Sequence, residues 1–337
     1  MNRRDFLLTS SALLFPNLVF AKSNHHIILP TKPFEYFHKK GNGKRILIIG
    51  GIHGNEMGAY KAADLLVEMD IKADVLIIPR SNFTSILANV RGYNGDMNRK
   101  FDYISKNDPD YYYVELLKEA ILDFKPDLLI SMHDGYGFSS RNHHAWGQSI
   151  VIDENKYKNF DLLKEALYIK NNANKYLKWP VSLINTKTFS GNTHKEQKKA
   201  LTGWCLKHNI KAFCIEASKQ LPSLKDKIYT HFVMLREFFR LYDIKSDIDH
   251  YINNLNIKNV IPEVTLKINN KIYKINKNTE IKLSDISDIK VVDIQGDRGS
   301  FVIPRGVNLN WRKFYFKNLT LEVKNDFETK YKIFLRS

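Results

Sequence analysis

The sequence is short of several things, and each shortage removes a class of fold. Only Cys205 and Cys214 occur in 337 residues, so no disulfide framework can hold the chain and a packed apolar core must do so. Both read as buried thiols, Cys205 in a helix and Cys214 in an apolar strand. No apolar run reaches the ~20 residues that cross a bilayer. The nearest candidate, ending at Phe20, is broken by Thr9, Ser10, Ser11 and Asn17. Internal repeats and low-complexity tracts are missing, which sets aside solenoids and disordered chains. Acidic residues are in deficit, 36 against 52 Lys and Arg, giving a formal net charge of +16. Such a balance attracts anionic polymers. The lysines are nevertheless spread along the whole chain among Asn and Ile, and no basic patch or recognition motif accompanies them, which argues against nucleic acid.

What is present begins with an address. Asn2-Arg3-Arg4-Asp5-Phe6-Leu7-Leu8 is a twin-arginine run leading into a moderately apolar segment, and Val19-Phe20-Ala21 fits a signal-peptidase site. Residues 1–21 therefore read as a twin-arginine-type signal peptide. The expected destination is the periplasm, with no stable membrane insertion after cleavage. Export of this kind carries folded proteins, so a metal can be loaded beforehand.

The remaining chain, 43% hydrophobic, is long enough for two domains. From Arg45 to Tyr242, buried strands alternate with helices. Ile46 to Ile49, Asp74 to Ile78, Pro126 to His133, Gln148 to Ile152 and Lys211 to Ser218 read as strands. Asn55 to Met69, Tyr111 to Phe124, Tyr157 to Leu177, Thr193 to His208 and Pro222 to Tyr242 read as helices, with an irregular polar segment from Arg80 to Phe101. The expected fold is α/β, a mixed sheet with flanking helices, over residues 22–245. From about Asn256 the pattern changes to short alternating segments such as Glu263-Val-Thr-Leu-Lys-Ile and Leu319-Thr-Leu-Glu-Val, which indicate a small β-sandwich or β-barrel over 256–337.

Chemistry-bearing residues stand at the strand ends, where ligands bind in open α/β sheets. His53 and Glu56 follow the first strand in Gly-Gly-Ile-His-Gly-Asn-Glu, and His133 closes another strand before Asp134-Gly135. Imidazole and carboxylate are both ligands that zinc accepts. On spacing alone, Glu56 is equally at home as a helix-start residue favoured by the dipole. Glu216 is a carboxylate at the end of a buried strand, costly to desolvate unless paired or working as an acid or base.

The order His53-x-x-Glu56, Arg91, Asn98-Arg99, His133 and Glu216 resembles the M14-type zinc carboxypeptidases, and especially the peptidoglycan DL-carboxypeptidases of the M99 group that control helical cell shape. The resemblance implies one Zn2+ per chain on His53, Glu56 and His133, with Glu216 as general base. It further implies that Asp96 orients the first histidine. Arg91 would stabilise the oxyanion, while Asn98 and Arg99 hold the substrate's terminal carboxylate. Pancreatic-type relatives cover the substrate with a tyrosine, but none occurs here between Tyr176 and Glu216. His194, at a comparable separation, is the stand-in. Asp134 reads either as a turn residue or as an extra negative charge suited to a diaminopimelate amino group.

The implied activity is a periplasmic DL-carboxypeptidase that trims a peptidoglycan stem tripeptide to a dipeptide, releasing meso-diaminopimelate and affecting cell shape. Other readings are a succinylglutamate-desuccinylase/aspartoacylase-like zinc N-acyl amino acid hydrolase, a protease of ordinary L-peptides using the same machinery, and a non-catalytic cell-wall-binding protein.

Overall fold

The structure, a computed structural model, describes residues 25–31, 35–284 and 286–337. The signal-peptide expectation for residues 1–21 lies outside them. A seven-stranded mixed sheet carries the site, in the order Phe37–Lys39, Asp74–Ile78, Arg45–Ile49, Leu128–Gly135, Lys211–Ser218, Ser149–Ile152 and Ser182–Asn185. Its four neighbours from Asp74–Ile78 to Lys211–Ser218 run parallel, whereas Ser149–Ile152 is antiparallel to Lys211–Ser218. The continuous Ile and Leu runs of the central strands follow from this position. Ile46 and Ile48 face one apolar layer, Leu47 and Ile49 the other, and all four are fully buried. Each such side chain contributes about 1.5–3 kcal/mol.

Helices cover both faces. Met57–Leu66 packs Ala59, Ala62 and Ala63 into the same apolar layer as Leu224–Leu241, whose Ser223 cap accepts from the Asp226 amide. The helix expected over Asn55 to Met69 is shorter because Glu56 stands outside it as the N-cap residue. The segment Arg80 to Phe101 holds a helix, Phe83–Ala88, capped by Asn82, and a 3-10 turn, Met97–Arg99. The helix expected over Thr193 to His208 is broken at Ala200, whose ψ of 160° separates a 3-10 turn, Lys195–Lys199, from Leu201–Lys207. The one over Tyr157 to Leu177 is confined to Leu162–Ala173, behind a two-residue hairpin.

The C-terminal region consists of two sheets around one core. A five-stranded sheet and a four-stranded sheet contribute Val264, Leu266 and Ile289, and Leu321, Val323 and Ile333, respectively, to the same cluster. The strand His25–Ile28 joins the larger sheet, parallel to Ser287–Gln295. Among the described residues, no helix is long and apolar enough to cross a membrane.

Buried charges connect this region to the α/β part. Arg80 bonds Asp64 at 2.7 Å and Asp326 at 2.6 Å, and Lys61 also meets Asp326. Burial opposes the charge on Asp326, but Arg80 and Lys61 outweigh it and hold the pKa at about 2. Asp326→Ala leaves Arg80 buried without one partner, so a loss of about 3–5 kcal/mol is expected in denaturant unfolding. With the folded pKa below the ordinary value of roughly 3.9, this stabilisation is complete above that pH and fades as pH falls towards 2. An unchanged midpoint in the variant at neutral pH would contradict the account.

Candidate metal centre and catalytic site

The strand Arg45–Ile49 runs into Gly50-Gly51, where the chain turns to present His53. Gly51 has φ +71°, and a Cβ there would lie 2.9 Å from the Pro79 carbonyl oxygen, so only glycine makes the turn without strain. His53 follows in the turn, and Glu56 stands at the helix start. His133 arrives from the neighbouring strand, and parallel register places it directly beside Glu216. Topology alone thus brings the third proposed ligand and the proposed base together.

The three donors converge. His53 Nδ1 lies 2.9 Å from Glu56 Oε1, and His133 Nδ1 lies 2.8 Å from Glu56 Oε2. The two ring nitrogens are 3.2 Å apart, and one donor atom from each residue falls within 4.8 Å of the others. All three residues are buried. Two facing imidazole nitrogens and a carboxylate form a donor set of borderline softness that fits a divalent metal ion with one position left open. The outer ring nitrogens are fixed, that of His53 by Asp96 at 2.9 Å and that of His133 by the Ser131 hydroxyl at 2.9 Å. Ser131 escaped sequence reasoning, although it lies two residues before His133 and hence on the same strand face.

The charges act on one another at hydrogen-bond range. Burial alone would raise the pKa of Glu56, but the two histidines hold it well below the carboxylate range. Burial lowers His133, while for His53 the neighbouring Glu56 and Asp96 outweigh burial and raise it. Burial also opposes ionisation of Asp96, yet its bond to His53, with Arg91 and Arg99 nearby, holds the pKa far down. Glu216 behaves oppositely. Burial, then Glu56 and Asp134, push its pKa well above the usual value. Its Oε1 accepts from the Cys214 thiol at 3.6 Å, and its buried Oε2 has no hydrogen-bond partner.

A cavity of about 310 Å³ joins His53, Glu56, His133 and Glu216 to Arg91, Asn98 and Arg99. Arg91 is half-exposed, holds Asp96 through two nitrogens and comes within 3.6 Å of Glu56. Asn98 spends its side-chain oxygen on the Leu201 amide, and Arg99 donates to the Asn98 carbonyl at 2.8 Å. His194 is exposed outside this cavity lining and rests edge-on against Trp146, which does line it. Asp134 is turned to structural use. Its oxygens accept from the Gly58 amide at 2.6 Å and meet His231 at 3.0 Å. Lys219, missed in the sequence, lines the cavity 3.8 Å from Glu56. Cys205 and Cys214 are both free.

No curated protein matches the chain. Among solved structures, tripeptide-bound cell shape determinant Csd4 of Helicobacter pylori has a TM-score of 0.60 at 20% identity, over 90% of this chain and 100% of that one. The mDAP-bound form of H. pylori Csd4, described as a D,L-carboxypeptidase, scores 0.59 at 20% identity over 89% and 99%. A succinylglutamate desuccinylase/aspartoacylase from Rhodobacter sphaeroides scores 0.44 at 16% identity over 61% and 57%. At its identity, the Csd4 likeness establishes the fold, a zinc-carboxypeptidase-like mixed sheet with a strand-rich C-terminal region. Sequence comparison adds that residues 12–262 match the catalytic region of the carboxypeptidases controlling helical cell shape. That match spans about three quarters of the chain, and the protein belongs to this family of carboxypeptidases, the M99 peptidases.

Proposed function

We propose that this carboxypeptidase removes the C-terminal diaminopimelate from a peptidoglycan stem tripeptide, with one zinc ion held by His53, Glu56 and His133. The observation that carries this is a single cavity joining the three donors, an unpartnered buried carboxylate oxygen on Glu216, and Asn98 with Arg99. Support for the substrate comes from the family and from Csd4, whose structures are described with tripeptide and with mDAP bound. The periplasm is the proposed location, supported by the Arg3-Arg4 run, and cell fractionation would test it.

Bound at the three donors, zinc would supply a Lewis acid that acidifies a water molecule. The rest is the work of this chain. Glu216 takes the water's proton and passes it to the leaving amine, for which a pKa raised by burial is suited. Arg91 places a cation beside the donors, where negative charge develops on the scissile oxygen. Arg99, planar and multiply donating, holds the terminal carboxylate with the Asn98 amide.

Digestion of purified muropeptides by the zinc-loaded protein should convert tripeptides to dipeptides and leave tetrapeptides and pentapeptides intact. Arg99→Ala removes a charge-assisted contact of about 1.5–3 kcal/mol, so kcat/KM should fall roughly ten- to a hundredfold. If tripeptides survive while an N-acyl amino acid is hydrolysed, the acylase reading replaces this one.

A further inference from the structure

The cavity extends beyond the catalytic groups along a floor made by two antiparallel strands. Ser149 pairs with Glu216, and Val151 with Cys214. Asp153, four positions after Ser149, therefore lies further from Glu216 along the floor, by roughly 13 Å of strand. Val151, Cys214 and Asp153 all line the cavity.

Asp153 is only 4% exposed. The Thr188 hydroxyl donates to its Oδ1 at 2.5 Å, and Thr202, itself in the cavity lining, turns a second hydroxyl towards the carboxylate and favours its charged form. Thr186 in turn lies 2.7 Å from the Thr188 hydroxyl, so the carboxylate is held in one orientation. Neutral donors fix its direction but do not balance its charge. The ionic influence on it comes from another acid, Glu154, and this adds to burial in raising its pKa. A carboxylate in that position is stabilised by any ligand that brings a cation. Asp134, the other cavity acid outside the donors and Glu216, is already engaged by Gly58 and His231.

We propose that Asp153 forms a subsite for an ammonium group carried on the side chain of the residue being released. This deepens, and rests on, the carboxypeptidase reading above. With the terminal carboxylate at Asn98 and Arg99 and the scissile bond at Glu216, the side chain of the released residue runs over Val151 and Cys214 towards Asp153. The apolar stem meets Val151, and the charged tip meets the carboxylate.

L-Lysine and L-norleucine share this stem and differ in the terminal ammonium. Calorimetric titration of the zinc-loaded protein should show lysine binding at least tenfold tighter. In Asp153→Asn the two should come within about twofold of each other, with norleucine binding unchanged. Thr202→Val, which keeps the volume and removes one hydroxyl, should reduce the preference severalfold and serves if the first variant does not fold. Equal affinities in the wild type, or an undiminished preference in Asp153→Asn, would overturn the subsite. Turnover of stem tripeptides ending in diaminopimelate, lysine or norleucine separates the two levels of argument. If the diaminopimelate tripeptide is not cleaved while the Asp153-dependent lysine preference persists, the substrate reading falls and the subsite stands. If the lysine and norleucine tripeptides are cleaved at equal kcat/KM, the subsite falls and the carboxypeptidase stands.

Discussion

Glu216→Gln should keep the metal and the fold while losing at least about a hundredfold in turnover, because an amide of the same shape cannot accept a proton from water. The position is well suited to this substitution. The side chain is buried at the cavity wall, and a Cβ added at Gly135 would lie only 2.9 Å from Glu216 Oε2, so the space beside that oxygen is kept narrow by a residue without a side chain. Gln fits the same outline. It also removes a charge that burial, Glu56 and Asp134 all disfavour. A folded pKa above the unfolded one means that ionising Glu216 costs stability as pH rises past the unfolded value, so the metal-free Gln variant should be at least as stable as the wild type near neutrality. Elemental analysis and thermal melting therefore serve as controls beside the activity assay. Near-normal hydrolysis in a variant with intact metal content would take Glu216 out of the mechanism.

The parts of this protein that sequence disclosed are those in which one physical requirement dominates. Ile46 to Ile49 and Leu128 to Ile130 are apolar without alternation because both faces of a parallel sheet are covered, and this placed His53 and His133 at neighbouring strand ends. His133 beside Glu216 is a consequence of register that no spacing in the sequence expresses. The break at Ala200 was hidden for a different reason. Lys195 to Lys207 has few helix breakers, yet the chain leaves the helix at Ala200, which accompanies the placing of Gln197 in the cavity wall and of the Leu201 amide on Asn98. Asp134 stayed open between a turn role and an extra pocket charge because its neighbour is a donor, whereas its own oxygens face Gly58 and His231, residues far away in sequence. Asp153 carried no signal at all. Its significance depends on a strand pairing that aims it along the floor and on two threonines from separate segments.

Changing His53 and His133 together to Ala should abolish metal binding, and with it activity, where the wild type is expected to hold about one zinc per chain. The argument rests on the geometry of the donors. Two of the three converging ligands are lost, and the remaining one, Glu56, cannot close a site alone. A single carboxylate holds zinc weakly, whereas the full set, aligned by Asp96 and Ser131, meets the ion with its donors already in place. The loss should be visible without any turnover assay. A ligand that binds only the folded chain stabilises it by mass action, at about 2.7 kcal/mol for a concentration a hundred times the dissociation constant. Added zinc should therefore raise the melting temperature of the metal-stripped wild type and leave the double variant where it was. The variant's own metal-free midpoint should fall, because buried Glu56 loses the two imidazoles that hold its pKa down and keeps only Arg91 and Lys219 nearby, so the zinc-dependent shift is read against each protein's own metal-free melting temperature. Full zinc occupancy in the double variant, with a matching rise in melting temperature, would show that the ion is held elsewhere.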